Sequence, residues 1–213
     1  MDRVIAKWHS AADGDLVICP DWGVAYQRDM SQPVHYNGEY FDKYVHYEDT
    51  PLANAINAGR VALVNKHVGP EAGVLDVGIG SGEFIKKRPN TFGYDINPKA
   101  VEWLKANMRY SDSFAAFDGF TFWDVLEHVE NPAEDYLDRI HDGACLFTSI
   151  PVFADLTKIR QSKHYRPNEH FYYFTRSGFI HWMAKHGFRC LETDDFETRA
   201  GREAIMSFAF KRG

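Results

Sequence analysis

The sequence has no surplus of basic residues: 24 Lys and Arg stand against 30 Asp and Glu, a formal net charge of −6. That balance argues against a general nucleic-acid binder, whose affinity rests on clustered cations, although it leaves room for a local basic patch. Cysteine is scarce. Cys19, Cys145 and Cys190 are scattered and odd in number, which excludes a disulfide framework and fits a reducing, cytoplasmic setting. No run approaches the ~18 apolar residues of a membrane-spanning helix. The opening MDRVIAKWHSAADGDL lacks the apolar stretch of a secretory signal, so no membrane partner is expected. Internal repeats and low-complexity tracts are missing too. What is present is core material: 45% of the 213 residues are apolar and 15% aromatic, enough for one domain with an extension.

Residues 1–50 are rich in Tyr, Trp, His and Asp and carry little periodicity until about Tyr40. They read as an irregular N-terminal cap on a domain of residues 51–213. From Pro51, the spacing of Leu52, Ile56, Val61 and Val64 predicts a helix ended by Gly69 and Pro70. Strand and helix then alternate: strand 74–77, helix 83–87 stopped by Pro89, strand 91–94, helix from Pro98 to about Met108, strand 117–123, helix 132–140, strand 144–150. Between Arg109 and Phe117 there is room only for a very short strand. A long loop follows over 151–174. Thr175 caps a helix carrying Phe179, Trp182 and Met183, closed by Gly187. Strands near 188–193 and 203–211 form a hairpin. The alternation predicts an α/β fold, a doubly wound and mostly parallel sheet with an antiparallel C-terminal hairpin.

The segment DVGIGSG (76–82) places three alternate glycines at the carboxyl end of the first apolar strand, where open α/β sheets bind ligands. Glycine allows the sharp turn and the close approach of a ligand. Ordinary strand-to-helix turns use glycine as well, but three in alternation behind an aspartate point to a ligand loop. A dinucleotide requires G-x-G-x-x-G. Counted from Gly78, the sixth position is Glu83, an acid that would face a pyrophosphate. The loop therefore suits a cofactor without phosphates, such as S-adenosylmethionine (SAM). Asp95, ending the second strand, can accept hydrogen bonds from both ribose hydroxyls. It can also cap the helix that starts near Pro98.

VLDVGIGSGEF (74–84) followed by GYDINPKAVEWL (93–104) resembles the Rossmann-like, class I SAM-dependent methyltransferase superfamily, over about 52–210. The resemblance implies that Asp76, Gly78, Gly80 and Gly82 line the methionine part of SAM, with Asp95 on the ribose and Ile96 among the cofactor contacts. FWDVLEHVENP (122–132) is similar to the LEHV-x-x-P element common in ubiquinone-pathway O-methyltransferases and their relatives. Asn57-Ala-Gly-Arg60 resembles their N-x-x-R, which implies that Arg60 pairs with the SAM carboxylate through its forked guanidinium. As a residue of an amphipathic helix, Arg60 can equally be a surface arginine. The chain departs from the family at Ile79, where Cys is frequent, and in the adenine-side segment, shortened to YSDSFAAF with Asp112 as its one acid. Cys19-Pro-Asp-Trp22 resembles half of a C-x-x-C zinc knuckle. With Trp22 in the second position, no structural zinc is expected there.

Asp124-x-x-Glu127-His128 with the distant His170 resembles the E-x-x-E-H and His pattern of small-RNA 2′-O-methyltransferases and some quinone O-methyltransferases. There a divalent cation orients the substrate hydroxyl. The resemblance implies Asp124, Glu127, His128 and His170 as a divalent-cation set, and RNA as an alternative acceptor. A hard cation lowers a hydroxyl's pKa and positions it for attack. Without metal, the acid and imidazole would only support their loop, or Asp124, His128 and His170 would serve acid–base catalysis. In the loop 151–174, Lys158, Arg160, Lys163 and Arg166 outnumber Asp155 and Glu169, with His164 and Tyr165 among them. Such a run is often just a solvated face; beside an acceptor pocket it points to an anionic small molecule. Tyr40, Tyr44, Trp123, Tyr172 and Tyr173 flank the motifs and can wall the sulfonium by cation–π contact. The expectation is an enzyme that moves the SAM methyl to an oxygen or nitrogen of a small, anionic acceptor. A SAM-binding regulator without catalysis and an NAD-dependent dehydrogenase are the alternatives.

Overall fold

Hydrophobic strands bounded by turn residues set the order of the chain. The computed structural model describes residues 11–13, 15–30, 34, 41–42 and 49–213. In chain order these form β1 (Ala11–Asp13), β2 (Leu16–Cys19), β3 (Val24–Gln27), α1 (Pro51–Val68), β4 (Val74–Val77), α2 (Glu83–Lys87), β5 (Thr91–Tyr94), α3 (Pro98–Ala106) and β6 (Gly119–Trp123). They continue through α4 (Pro132–Asp135), β7 (Cys145–Pro151), β8 (Tyr172–Phe174), α5 (Arg176–Lys185), β9 (Phe188–Asp194), α6 (Phe196–Arg199) and β10 (Ile205–Arg212). No helix among the described residues is long and apolar enough to cross a membrane.

The main sheet has the order β5-β4-β6-β7-β10-β9. Its first four strands are parallel, and β10 runs antiparallel to both β7 and β9. Every residue of β4, β6 and β7 is buried, as expected for parallel strands covered on both faces. Leu75, Val77, Phe120, Phe122, Phe208 and Phe210 share one core with Phe179, Trp182 and Met183 of α5. Val74, Phe147 and Ala209 pack on the other face with Leu63 and Val64 of α1. Each such large side chain contributes about 1.5–3 kcal/mol on full burial. The expected very short strand after α3 is a single parallel bridge, Tyr110 to Gly93.

Helix starts follow their caps. Thr50 accepts from the Ala53 N–H at 3.1 Å before Pro51, and Thr175 accepts from the Gly178 N–H at 3.0 Å. Helix α1 buries Ile56, Asn57, Leu63 and Val64, while Leu52 stays exposed. The helix expected over 132–140 is broken into α4 and a 3-10 turn, Leu137–Arg139. The break falls at Tyr136, whose ring packs 5.7 Å from Phe122.

The largest departure is at the N-terminus. Residues expected to be irregular form β1, β2 and β3, and β8, from within the expected long loop, completes a second sheet of order β1-β2-β3-β8. That loop also holds a 3-10 helix, Leu156–Gln161. Strands of three or four residues offer too few alternations to show a period. The Cys19-Pro-Asp-Trp22 segment is the 3-10 turn Pro20–Trp22 that joins β2 to β3, with Cys19 buried behind it.

Candidate active site

The site is built where β4 and β6 end side by side, β5 lying on one flank of β4 and β6 on the other. At this point of an open sheet the chain diverges to both sides and leaves a crevice. The loop after β4 holds Gly78, Gly80 and Gly82 at φ of 74°, 57° and 78°, the left-handed region that a Cβ disfavours. At Gly78 space forbids a side chain as well, since a Cβ would stand 2.6 Å from Val125.

Asp95 fastens the loop to β5. One of its oxygens accepts from the Ile79 N–H at 2.9 Å and the other from the Asn97 N–H at 2.8 Å. It does not cap α3; that cap is Asn97, which accepts from the Lys99 N–H at 3.1 Å. Burial raises the Asp95 pKa, against these hydrogen bonds. The next side chain, Ile96, is 64% exposed. Asp76 lies beneath the loop, buried, and accepts from the Thr121 hydroxyl at 2.6 Å. Burial pushes its pKa up to about 7. Glu83 opens α2 and accepts from the Asn57 amide at 3.1 Å, with Lys87 at 3.2 Å. The acid at the sixth position from Gly78 is thus anchored to α1.

Arg60 reaches the same crevice from α1. Its Nε donates to Glu197 at 2.8 Å, and its Nη2 donates to Asp124 at 3.2 Å and to Ser149 at 3.1 Å. Its guanidinium lies 4.8 Å over the Trp123 ring. Asp124 also takes a forked pair of hydrogen bonds from Arg202, at 2.9 and 3.0 Å. Burial opposes the Asp124 charge, but Arg202 and Arg60 hold its pKa down at about 2.

Beyond Val125 the chain makes the 3-10 turn Leu126–His128. Glu127 is buried, and among the described residues neither carboxylate oxygen has a hydrogen-bond partner. Burial, and then the charge of Asp124, push its pKa well up. His128 Nδ1 lies 3.0 Å from the Glu169 carbonyl oxygen. A carbonyl only accepts, so Nδ1 carries the proton. The other ring nitrogen, Nε2, lies 4.0 Å from Glu127 Oε1. The buried His170 ring meets His128 edge-on, centroids 4.5 Å apart. Burial, with His128 beside it, pushes the His170 pKa down to about 2. One ligand atom from each of Glu127, His128 and His170 lies within 4.8 Å of the others. Asp124, expected in this set, stands apart from it, because its oxygens are taken by Arg60 and Arg202.

Residues 44–193 match the family described as a methyltransferase domain. The chain belongs to the class I SAM-dependent methyltransferases. A search of the curated proteins finds no match. Solved structures share the fold. One is the 1,6-didemethyltoxoflavin N1-methyltransferase of Burkholderia thailandensis, with its substrate and S-adenosylhomocysteine: 17% identity over 82% of this chain and 84% of that one, TM-score 0.57. A second is the magnesium protoporphyrin IX methyltransferase of Synechocystis, with S-adenosylhomocysteine: 17% identity, 84% and 96% covered, TM-score 0.58. A third is the geranyl diphosphate C-methyltransferase of Streptomyces coelicolor, with Mg²⁺, geranyl diphosphate and S-adenosylhomocysteine: 11% identity, 86% and 88% covered, TM-score 0.55.

The structure also gives the places of other expected residues of this methyltransferase. Tyr172 is in the core, its hydroxyl donating to the Glu130 carbonyl at 2.9 Å. Tyr173, its neighbour on the opposite face of β8, packs 5.8 Å from His170. Arg60 occupies one side of the Trp123 ring. Tyr40 and Tyr44 lie outside the described residues. In the 151–174 segment Lys163 pairs with Glu203 at 2.9 Å, Arg166 pairs with Glu169 at 2.8 Å, and Arg160 lies 5.7 Å over Tyr165. Two residues of the crevice escape sequence reasoning: Glu197 and Arg202 are two of six charges in TDDFETRAGREA (193–204), without period or recognised spacing.

Proposed function

We propose that this methyltransferase moves the SAM methyl to an oxygen or nitrogen of a small acceptor above the ends of β4 and β6, with a divalent cation held by Glu127, His128 and His170. In this reading the glycine loop borders the methionine part of SAM, and Asp76 supports it from below. Asp95 keeps lone pairs for the ribose hydroxyls beyond its two backbone bonds. Ile96 offers an apolar face to the adenine, and Arg60 binds the carboxylate.

The observation that carries the proposal is Glu127. A buried carboxyl without a hydrogen-bond partner among the described residues costs about 1–3 kcal/mol, and here it faces two imidazoles that burial keeps neutral. Val125 abuts Gly78, so the turn bearing Glu127 and His128 begins at the cofactor loop. The His128 bond to a carbonyl is the outer-sphere arrangement of a metal-ligating histidine. One carboxylate with two imidazoles suits Mn²⁺ or Zn²⁺ better than Mg²⁺ or Ca²⁺. Such a cation, when bound, polarises and orients an acceptor hydroxyl. Depressed imidazoles are poor general bases near neutral pH, where a base is best matched to its medium. The methyl–sulfur bond breaks as the bond to the acceptor forms, S-adenosylhomocysteine leaves, the proton of the hydroxyl or amine passes to solvent, and the protein's part is chiefly alignment. The cations that suggested an anionic acceptor are largely answered by Glu203, Glu169 and Tyr165. This supports a small acceptor of unassigned charge over RNA.

The test is calorimetric titration of Mn²⁺ and Zn²⁺ into the wild type and His170→Ala. Wild type should bind one ion, and the variant should bind it at least about tenfold more weakly, as losses around metal sites run. Equal affinity removes His170 from the ligand set.

A further inference from the structure

Four charged side chains close a ring behind the Trp123 ring. Glu197 takes Arg60 on both oxygens, at 2.8 and 3.2 Å. Arg202 pairs with Glu197 while forking onto Asp124, and Arg60 returns to Asp124 at 3.2 Å. Ser207 adds a weaker donor to Glu197 at 3.4 Å. The members come from α1, the end of β6, α6 and the turn before β10. Two cations and two anions leave no net buried charge, but removing one would strand another. Glu197 is the centre, with 0% exposure and both arginines on it.

The ring commits one edge of the Arg60 guanidinium. Nε and Nη2 are spent on Glu197, Asp124 and Ser149, whereas Nη1 has no acceptor among the described residues. The Arg60 charge is felt at Asp76 under the glycine loop. A five-donor planar fork held along one edge presents its other edge in a fixed direction.

We propose that Glu197 and Arg202 are positioning residues for the cofactor carboxylate: Glu197 sets the roll of Arg60, and Arg202 holds Glu197 and Asp124 to that setting. This rests on the reading of Arg60 as the carboxylate partner. Pre-orientation shifts the ordering cost of the arginine from cofactor binding to folding, which raises affinity without any contact between Glu197 and the ligand.

The experiment compares S-adenosylhomocysteine with 5′-methylthioadenosine, which keeps the adenosine and sulfur but lacks the carboxylate. For Glu197→Gln, calorimetry should show S-adenosylhomocysteine weakened about tenfold or more, the scale of one charge-assisted hydrogen bond. Methylthioadenosine should stay within about twofold on that same scale. A merely structural role lowers both alike; equal losses, or none, overturn the inference. If circular dichroism shows Glu197→Gln unfolded, Arg202→Lys is read by the same criterion, because it keeps the charge and loses the fork. Arg60→Gln runs alongside. No selective loss there refutes the carboxylate reading itself. Selective loss there but not at Glu197 refutes the positioning role alone.

Discussion

Asp76 carries a pH signature. Burial holds its folded pKa at about 7, against an ordinary 3.8. As pH rises through that window the unfolded chain ionises first. The stability linked to its protonated form is therefore complete below the ordinary value and is lost by about pH 7. Asp76→Asn has the same shape, can still accept from Thr121, and does not titrate. Urea unfolding at pH 4.5 and 7.5 should show the variant gaining on the wild type by more than about 1 kcal/mol as pH rises, since each pKa unit is worth ~1.4 kcal/mol. A gap independent of pH would mean Asp76 is not buried in an uncompensated state. At this scale the sequence was informative where chemistry is local. The glycines, Asp76 and Asp95 sit in one short span, and the structure ties Asp95 to the glycine loop through the Ile79 N–H. Glu197 and Arg202 were silent, because their meaning comes from partners 137 and 78 positions away.

The elements show how magnitudes of opposite sign are weighed. Gly178 lies in the first turn of α5, where alanine is normally preferred by about 1 kcal/mol. A Cβ there would stand 2.0 Å from the Gly23 carbonyl oxygen. Backbone cannot give way like a flexible side chain, so overpacking of about 1–3 kcal/mol should win. Gly178→Ala is expected to lower the urea midpoint, and a stabilised variant would show that the β2–β3 turn does not dock on α5. The elements of the main sheet were legible because prolines, caps and apolar runs mark their ends. The small sheet was not, since β3 and β8 are joined by pairing Val24 with Phe174, a contact across most of the chain. The break at Tyr136 was hidden for a related reason: local helix propensity gave way to ring packing.

For the whole molecule, ligand linkage offers the broadest check. S-adenosylhomocysteine at a hundred times its Kd should stabilise the fold by about 2.7 kcal/mol. For a chain of this length that raises Tm by roughly 5–10 °C. No shift in a scanning calorimeter at saturation would contradict a cofactor site at the glycine loop.

What the sequence determined by itself was the doubly wound sheet, the methyltransferase family and the glycine loop at the end of β4. Periodicity, caps and loop glycines act over a few residues and survive in the linear order. The tertiary structure decided the rest: that Asp124 faces two arginines instead of the His128–His170 cluster, that Glu127 has no hydrogen-bond partner among the described residues, and that Arg60 is held by a fully buried glutamate. Those outcomes depend on which distant charges are brought together away from water, and only packing sets that.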